Sequence, residues 1–228
     1  MSLAHRIASA AALLALLLPT PPVRAAQDFS EAERALFMTN HFAALRPPLA
    51  LRYSYRKSGS LEEGFDDRVE ITLRAQSGGR CCAANAQFLT GARALSLPDI
   101  EAAEGNPAIL YFLERDIREM QRLTKGQQNY FRKRIRMAVY QGATVRAVTL
   151  PYRGNQVAGR EITISPYVDD PLRARFEKFA DKQYVFTLSD AVPGGVYALR
   201  SRVAGAAADA EPLLAEEMRV EGATARQP

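Results

Sequence analysis

The segment NPAILYFLERDIREMQRLTKGQQNYFRKRIRMAVY, residues 106–140, carries the longest run of helical periodicity in the chain, and strand-type alternation lies on both sides of it. Asn106-Pro107 marks a helix start: Asn caps free amide groups, and Pro suits a first helical position, where its missing N–H costs nothing. Ile109, Leu110, Leu113, Ile117, Met120 and Leu123 then recur at three- and four-residue steps and make one apolar stripe. On the other side Glu114 with Arg118, and Arg115 with Glu119, stand four apart, a spacing worth roughly a few tenths of a kcal/mol per pair. Gly126 is the expected left-handed stop. A second helix starts near Asn129, with Phe131, Ile135 and Val139 as its stripe and Arg132, Lys133, Arg134 and Arg136 mostly off it. That basic run reads either as a solvated helix face or as a docking surface for anionic head groups or an acidic partner.

Upstream, Ser30 and Glu33 form a capping box ahead of Ala35, Leu36, Thr39 and Phe42, so a first helix is expected to run to about Ala44 before Pro47-Pro48 ends it. Leu49, Leu51, Tyr53 and Tyr55 alternate with Arg52, Ser54 and Arg56, and Phe65, Val69, Ile71 and Leu73 alternate with Arg68, Glu70, Thr72 and Arg74. Both are strands with one buried face. Gly78-Gly79 marks a turn into a third strand over Arg80 to Leu89, and Thr90 to Gly105 reads as a loop. Downstream, Thr144–Tyr152 and Arg160–Ser165 pair across a turn at Gly154-Asn155. Asp170-Pro171 opens a short helix with Leu172, Phe176 and Phe179 on one side. Gln183–Ser189 and Val196–Val203 form a hairpin through Pro193-Gly194, and Leu213–Val220 is expected as a last edge strand. The fold class is α+β: a curved, mostly antiparallel sheet of about eight strands, with the two-helix insertion covering one face.

Residues 1–25 have the pattern of a secretory signal: Arg6, an apolar run from Ile7 to Leu18 too short to span a bilayer, and Val23-Arg24-Ala25 as a small-residue cleavage site. The expected destination is the periplasm, with the external medium as the lesser alternative. The expected mature unit is a single α+β domain over 26–223, and 224–228 is expected to be a disordered tail. Removing Arg6 and Arg24 brings the net charge from +5 to +3, which is not the footprint of a nucleic-acid binder. Cys81 and Cys82 are the only cysteines. In a strand, neighbouring side chains point to opposite faces, so they are expected as small apolar residues rather than a bridge.

Chemistry is sparse. There is no G-x-S-x-G elbow, no phosphate-binding glycine loop and, with one mature imidazole, His41, no basis for a thiolate–imidazole metal site. No cofactor is expected. The carboxylate pairs Glu62-Glu63, Asp66-Asp67, Asp169-Asp170 and Glu216-Glu217 could serve acid–base work but suit turns and caps better. What remains is an apolar, aromatic face. Tyr53, Tyr55, Phe65, Val69, Ile71, Leu73, Phe112, Leu113 and Ile117 come together if the helices cover the sheet, either as a filled core or as a groove for an acyl chain.

The order of elements resembles the periplasmic lipoprotein carriers of the Lol pathway and related half-barrels. The resemblance rests on the strands at Leu49–Arg56 and Phe65–Ala75, the insertion Asn106–Tyr140 and the closing hairpin Gln183–Val203. It implies an acyl-binding concavity under helical lids, and no catalysis. The expected function is thus a non-enzymatic periplasmic carrier or chaperone for an acyl chain or lipid-modified partner, with the basic second helix meeting that partner or an anionic membrane surface. Two alternatives stand beside it: an envelope assembly or adaptor protein with a solid core, and a hydrolase using His41 or paired carboxylates.

Overall fold

The computed structural model describes residues 29–76, 81–207 and 209–223. The signal segment, the Gly78-Gly79 turn and the 224–228 tail lie outside the described residues. Eight strands make one open antiparallel sheet: β1 (Leu49–Ser58), β2 (Phe65–Ala75), β3 (Cys81–Phe88), β4 (Thr144–Tyr152), β5 (Asn155–Ile164), β6 (Gln183–Leu188), β7 (Val196–Val203) and β8 (Leu214–Val220). Their order in the sheet is β3-β2-β1-β8-β7-β6-β5-β4. The final strand is therefore central, not an edge. Tyr55 faces Met218 on one side of β8, and Leu199 faces it on the other. Alternation within β8 explains the position, since Leu214, Glu216, Met218 and Val220 all turn to a buried face. The β3 edge is partly covered by the segment after it, where Ala84 exchanges both backbone hydrogen bonds with Ile100.

Three helices accompany the sheet. The first is shorter than its sequence suggests: α1 (Glu31–Glu33), opened by the Ser30–Glu33 capping box, runs on as a π turn through Arg34–Met38 and stops at Thr39. The stop is local chemistry, because Thr39 returns its N–H and hydroxyl to Arg34 O, and Asn40 Oδ1 accepts from Phe42 N–H as an Asx turn. Helices α2 (Ala108–Thr124) and α3 (Gln128–Gln141) fill the insertion. Lys125, not Gly126, takes the left-handed position, and Gly126 is needed for packing: a Cβ there would stand 2.6 Å from Phe131 Cζ. The Asp170-Pro171 segment yields two 3-10 turns, Arg173–Arg175 and Glu177–Phe179. The β4–β5 turn centres on Arg153-Gly154, both at positive φ. Cys81 and Cys82 are joined to each other at the start of β3 across a cis peptide bond, correcting their expected unlinked state.

The two sheet faces differ. Residues turned away from the helices form a cross-strand lattice of charges, including Arg52–Glu70 at 2.8 Å, Arg56–Asp66 at 2.7 Å and Glu161 held by Arg146 and Arg200. The helix-facing side holds the core, with Tyr53, Tyr55, Phe88, Phe112, Phe131, Tyr167, Tyr184 and Phe186 among its largest buried side chains.

Helix α2 also presents charge to that core. Asp116 is fully buried and accepts from Lys182 Nζ, from Tyr184 OH at 2.6 Å and from Ser201 Oγ at 3.3 Å. One turn on, Glu119 meets Lys57 at 2.6 Å and Arg122 at 2.9 Å, and both cations also bind Glu62. Arg115 reaches Glu216 on β8, so the Arg115–Glu119 helix pair expected from spacing is replaced by contacts to the sheet, whereas Glu114–Arg118 forms at 3.4 Å. Burial opposes ionisation of Glu119, but hydrogen bonds from Arg122 and Lys57 outweigh it and hold the carboxyl down at about 2.

Asn106 joins four parts of the chain. Its N–H donates to His41 Nδ1 at 3.0 Å, its side-chain amide donates to Tyr53 OH and Gly194 O at 2.8 Å each, and its Oδ1 accepts from Ala108 N–H. Gly194 sits at φ +75°, and a Cβ there would stand 2.9 Å from Asn106 Nδ2. His41 Nε2 reaches Ala35 O at 3.0 Å, so the ring bridges α1's continuation to the entry of α2 as a neutral tautomer.

Two predictions follow from these buried polar groups. Asp116→Ala strands the Lys182 ammonium in the core and is expected to lower the unfolding free energy by about 3–5 kcal/mol in urea titrations. Arg56→Ala on the solvated face should leave the midpoint unchanged within error. His41 supplies a pH dependence. Burial lowers its pKa from 6.5, so the unfolded chain takes up the proton first. Its stabilisation is complete above 6.5 and is lost as pH falls through the lower folded value. Protonation removes the acceptor that Asn106 N–H uses, at about 1 kcal/mol. Glu119 gives its own loss only between 4.5 and about 2. Urea midpoints measured at about pH 7.5 and about pH 5 should differ in the native chain and converge in His41→Gln, which does not titrate there.

Candidate functional site

One open volume has no sheet residue in its lining. A groove of about 560 Å³ runs between the N-terminal segment, α2 and α3. Phe29, Glu33, Phe37 and Met38 form one wall, and Leu97 closes an end. Leu110, Tyr111, Leu113, Glu114 and Ile117 come from α2, and Arg132, Ile135 and Arg136 come from α3. The helix positions follow from periodicity: 110, 113, 114 and 117 share a stripe on α2 about a third of a turn from the sheet-facing residues Ile109, Phe112, Asp116 and Met120. Ser30 Oγ donates to Val139 O at 3.1 Å, tying the N-terminal wall to the end of α3.

The lining is mostly apolar and partly uncovered. Phe29 and Phe37 are each 41% exposed, Met38 is 52% and Leu110 is 55% exposed, at adjoining positions of one site. Apolar surface gathered this way departs from the scattered exposure ordinary on soluble domains. Charges stand only at the rim. Glu114 is held by Arg132 at 2.9 Å, and Glu33 accepts from Ser30 N–H within the capping box. Such a site binds apolar matter by area and orients it through few polar groups.

Of the nine residues expected to line a groove, the structure brings two to this one, Leu113 and Ile117. Tyr53, Tyr55, Val69, Ile71, Leu73 and Phe112 are buried core, and Phe65 is half-buried against Tyr55, with Arg93 over its ring. Those seven are packed between sheet and helices, where aromatic side chains and the ion pairs of α2 fill the space. The described residues thus pack the space beneath the helices, as in the first of the two alternatives. The basic run is divided likewise: Arg134 is tied to Asp170 at 2.8 Å, Arg132 to Glu114, and Lys133 and Arg136 are exposed. Phe29, Phe37, Met38 and Leu97 were not among the expected site residues. Phe37-Met38, an apolar pair off the Ala35–Leu36 buried positions, was the available signal.

Neither hydrolase candidate gathers a reactive set. Both ring nitrogens of His41 are occupied by backbone groups. Asp66 and Asp67 lie within β2 on opposite faces rather than in a turn, Asp67 binding Thr90 and Arg93. Asp170 does serve a turn, accepting from Leu172 N–H at 2.7 Å. Glu216 and Glu217 face opposite sides of β8, the first paired with Arg115 and the second with Arg219. Glu62 and Glu119 converge, but on Lys57 and Arg122, and neither lines the groove. Among the described residues no three His, Cys, Asp or Glu side chains are placed to hold a metal ion, and no helix is long and apolar enough to cross a membrane.

No family of known proteins matches the chain, and no curated protein sequence matches it. Among solved structures, the crystal structure of the Mycobacterium tuberculosis lipoprotein LppX is similar over 86% of this chain and 95% of that one, at 8% identity and a TM-score of 0.35. That likeness is one of architecture alone.

Proposed function

We propose that this chain is a non-enzymatic, exported carrier that holds one acyl chain in the groove between its N-terminal segment, α2 and α3. The observation that supports the reading is the groove itself: about 560 Å³, within the range of about 300–1,000 Å³ of small-molecule sites, with nine apolar residues among the thirteen that line it. The apolar leader of residues 1–25 is the basis for export, and the periplasm is the destination that fits it. The acyl chain is a better occupant than a polar metabolite because the wall offers contact area and few hydrogen-bonding groups. A volume of about 560 Å³ is large enough for a long acyl chain.

A second reading is an envelope adaptor with a solid core. The filled space between sheet and helices favours it, and it puts polypeptide rather than lipid over Phe37, Met38 and Leu110.

Mass spectrometry of solvent extracts decides between them. Protein purified from its native host should release an acyl lipid, and Leu110→Glu, at a position exposed enough to leave folding intact, should carry about tenfold less. Repeated extraction of the native protein without any lipid would overturn the carrier reading in favour of the adaptor.

A further inference from the structure

We propose that the occupant of the groove is a free long-chain fatty acid, recognised through its ionised carboxylate by Arg136. This rests on the carrier reading and narrows it, since an acyl chain can arrive in two chemical forms. A chain attached to a protein or to a neutral glyceride ends in an ester, amide or thioester and brings no charge where it leaves the groove. A free fatty acid ends in an anion, and that end seeks a guanidinium.

The rim distinguishes the two forms. Four charged side chains line the groove: Glu33, Glu114, Arg132 and Arg136. Glu114 and Arg132 neutralise each other at 2.9 Å, with Asn129 also accepting from Arg132. Glu33 has an oxygen committed to Ser30 N–H at 3.0 Å. Arg136 has neither an ion pair nor a hydrogen bond among the described residues. It is exposed on α3, one turn after Arg132, and lies beside Ile135, which is buried against the groove floor. The result is an uncommitted planar cation at the mouth of an apolar trough large enough for a long chain. A neutral chain end leaves that guanidinium unused.

Isothermal titration of the purified protein with dodecanoate and with 1-dodecanol, both below their aggregation limits, tests the assignment. Dodecanoate should bind about tenfold tighter than dodecanol, the worth of one charge-assisted pair. Arg136→Gln should bring dodecanoate to the affinity of dodecanol without changing the latter, and Arg136→Lys should restore part of the difference. Equal binding of the two probes, unaltered by Arg136→Gln, would overturn the carboxylate assignment while leaving the groove as an acyl site. Binding of neither probe, in a protein whose thermal unfolding is normal, would overturn the acyl reading and this assignment with it.

Discussion

Helix α2 is fixed to the sheet by charge, and much else in the molecule follows from that. Asp116, Glu119 and Arg115 lie within five residues of one another and each meets an opposite charge carried by a strand or by the chain beside it: Lys182, Lys57 and Glu216. Separating such pairs without water exposes unpaired ions in a low-dielectric interior, so the helix cannot lift from the sheet by small steps. A lid over an apolar cavity needs a surface that parts at little expense. This one does not part readily. The apolar residues on either side of the pins along the helix, Ile109, Phe112 and Met120, are accordingly core and not ligand surface.

With the inner side of α2 committed, its second stripe becomes the free one. Exposed Leu110 and buried Leu113 and Ile117 line the groove with Phe37, Met38 and Ile135. The wall on the N-terminal side is held by few contacts of high connectivity: the Ser30–Val139 bond at one end and the His41–Asn106 bond at the other. Asn106 then links that wall to β1 and to the β6–β7 turn. The groove thus sits on the rigid helix pair on one side and on a short, separately anchored segment on the other.

The strands and their faces were legible in the sequence because alternation of Tyr, Val, Ile and Leu with Arg, Glu and Thr has a period that only a half-buried strand produces. The two mid-chain helices were legible for the same reason. Three things were not. The central place of β8 depends on which strands it pairs with, and pairing across more than 150 residues leaves no local mark. The role of Asp116 and Glu119 was hidden because charged residues on a helix are ordinarily solvated, and their burial depends on Lys182 and Lys57, far away in sequence. The face of α2 that borders open volume was hidden because the stripe of α2 is wide enough to serve two faces. Leu113 and Ile117 belong to the outer one, and periodicity alone does not say which partner each face meets.

The placement of β8 sets the order in which the fold can be completed. Strands β1 to β3 and strands β4 to β7 form two meanders, each local in the chain, and no strand of one is a direct neighbour of a strand of the other in the sheet. Within the sheet, residues 214–220 stitch the halves together. The seam between the two meanders therefore waits on a strand that is synthesised after all seven others.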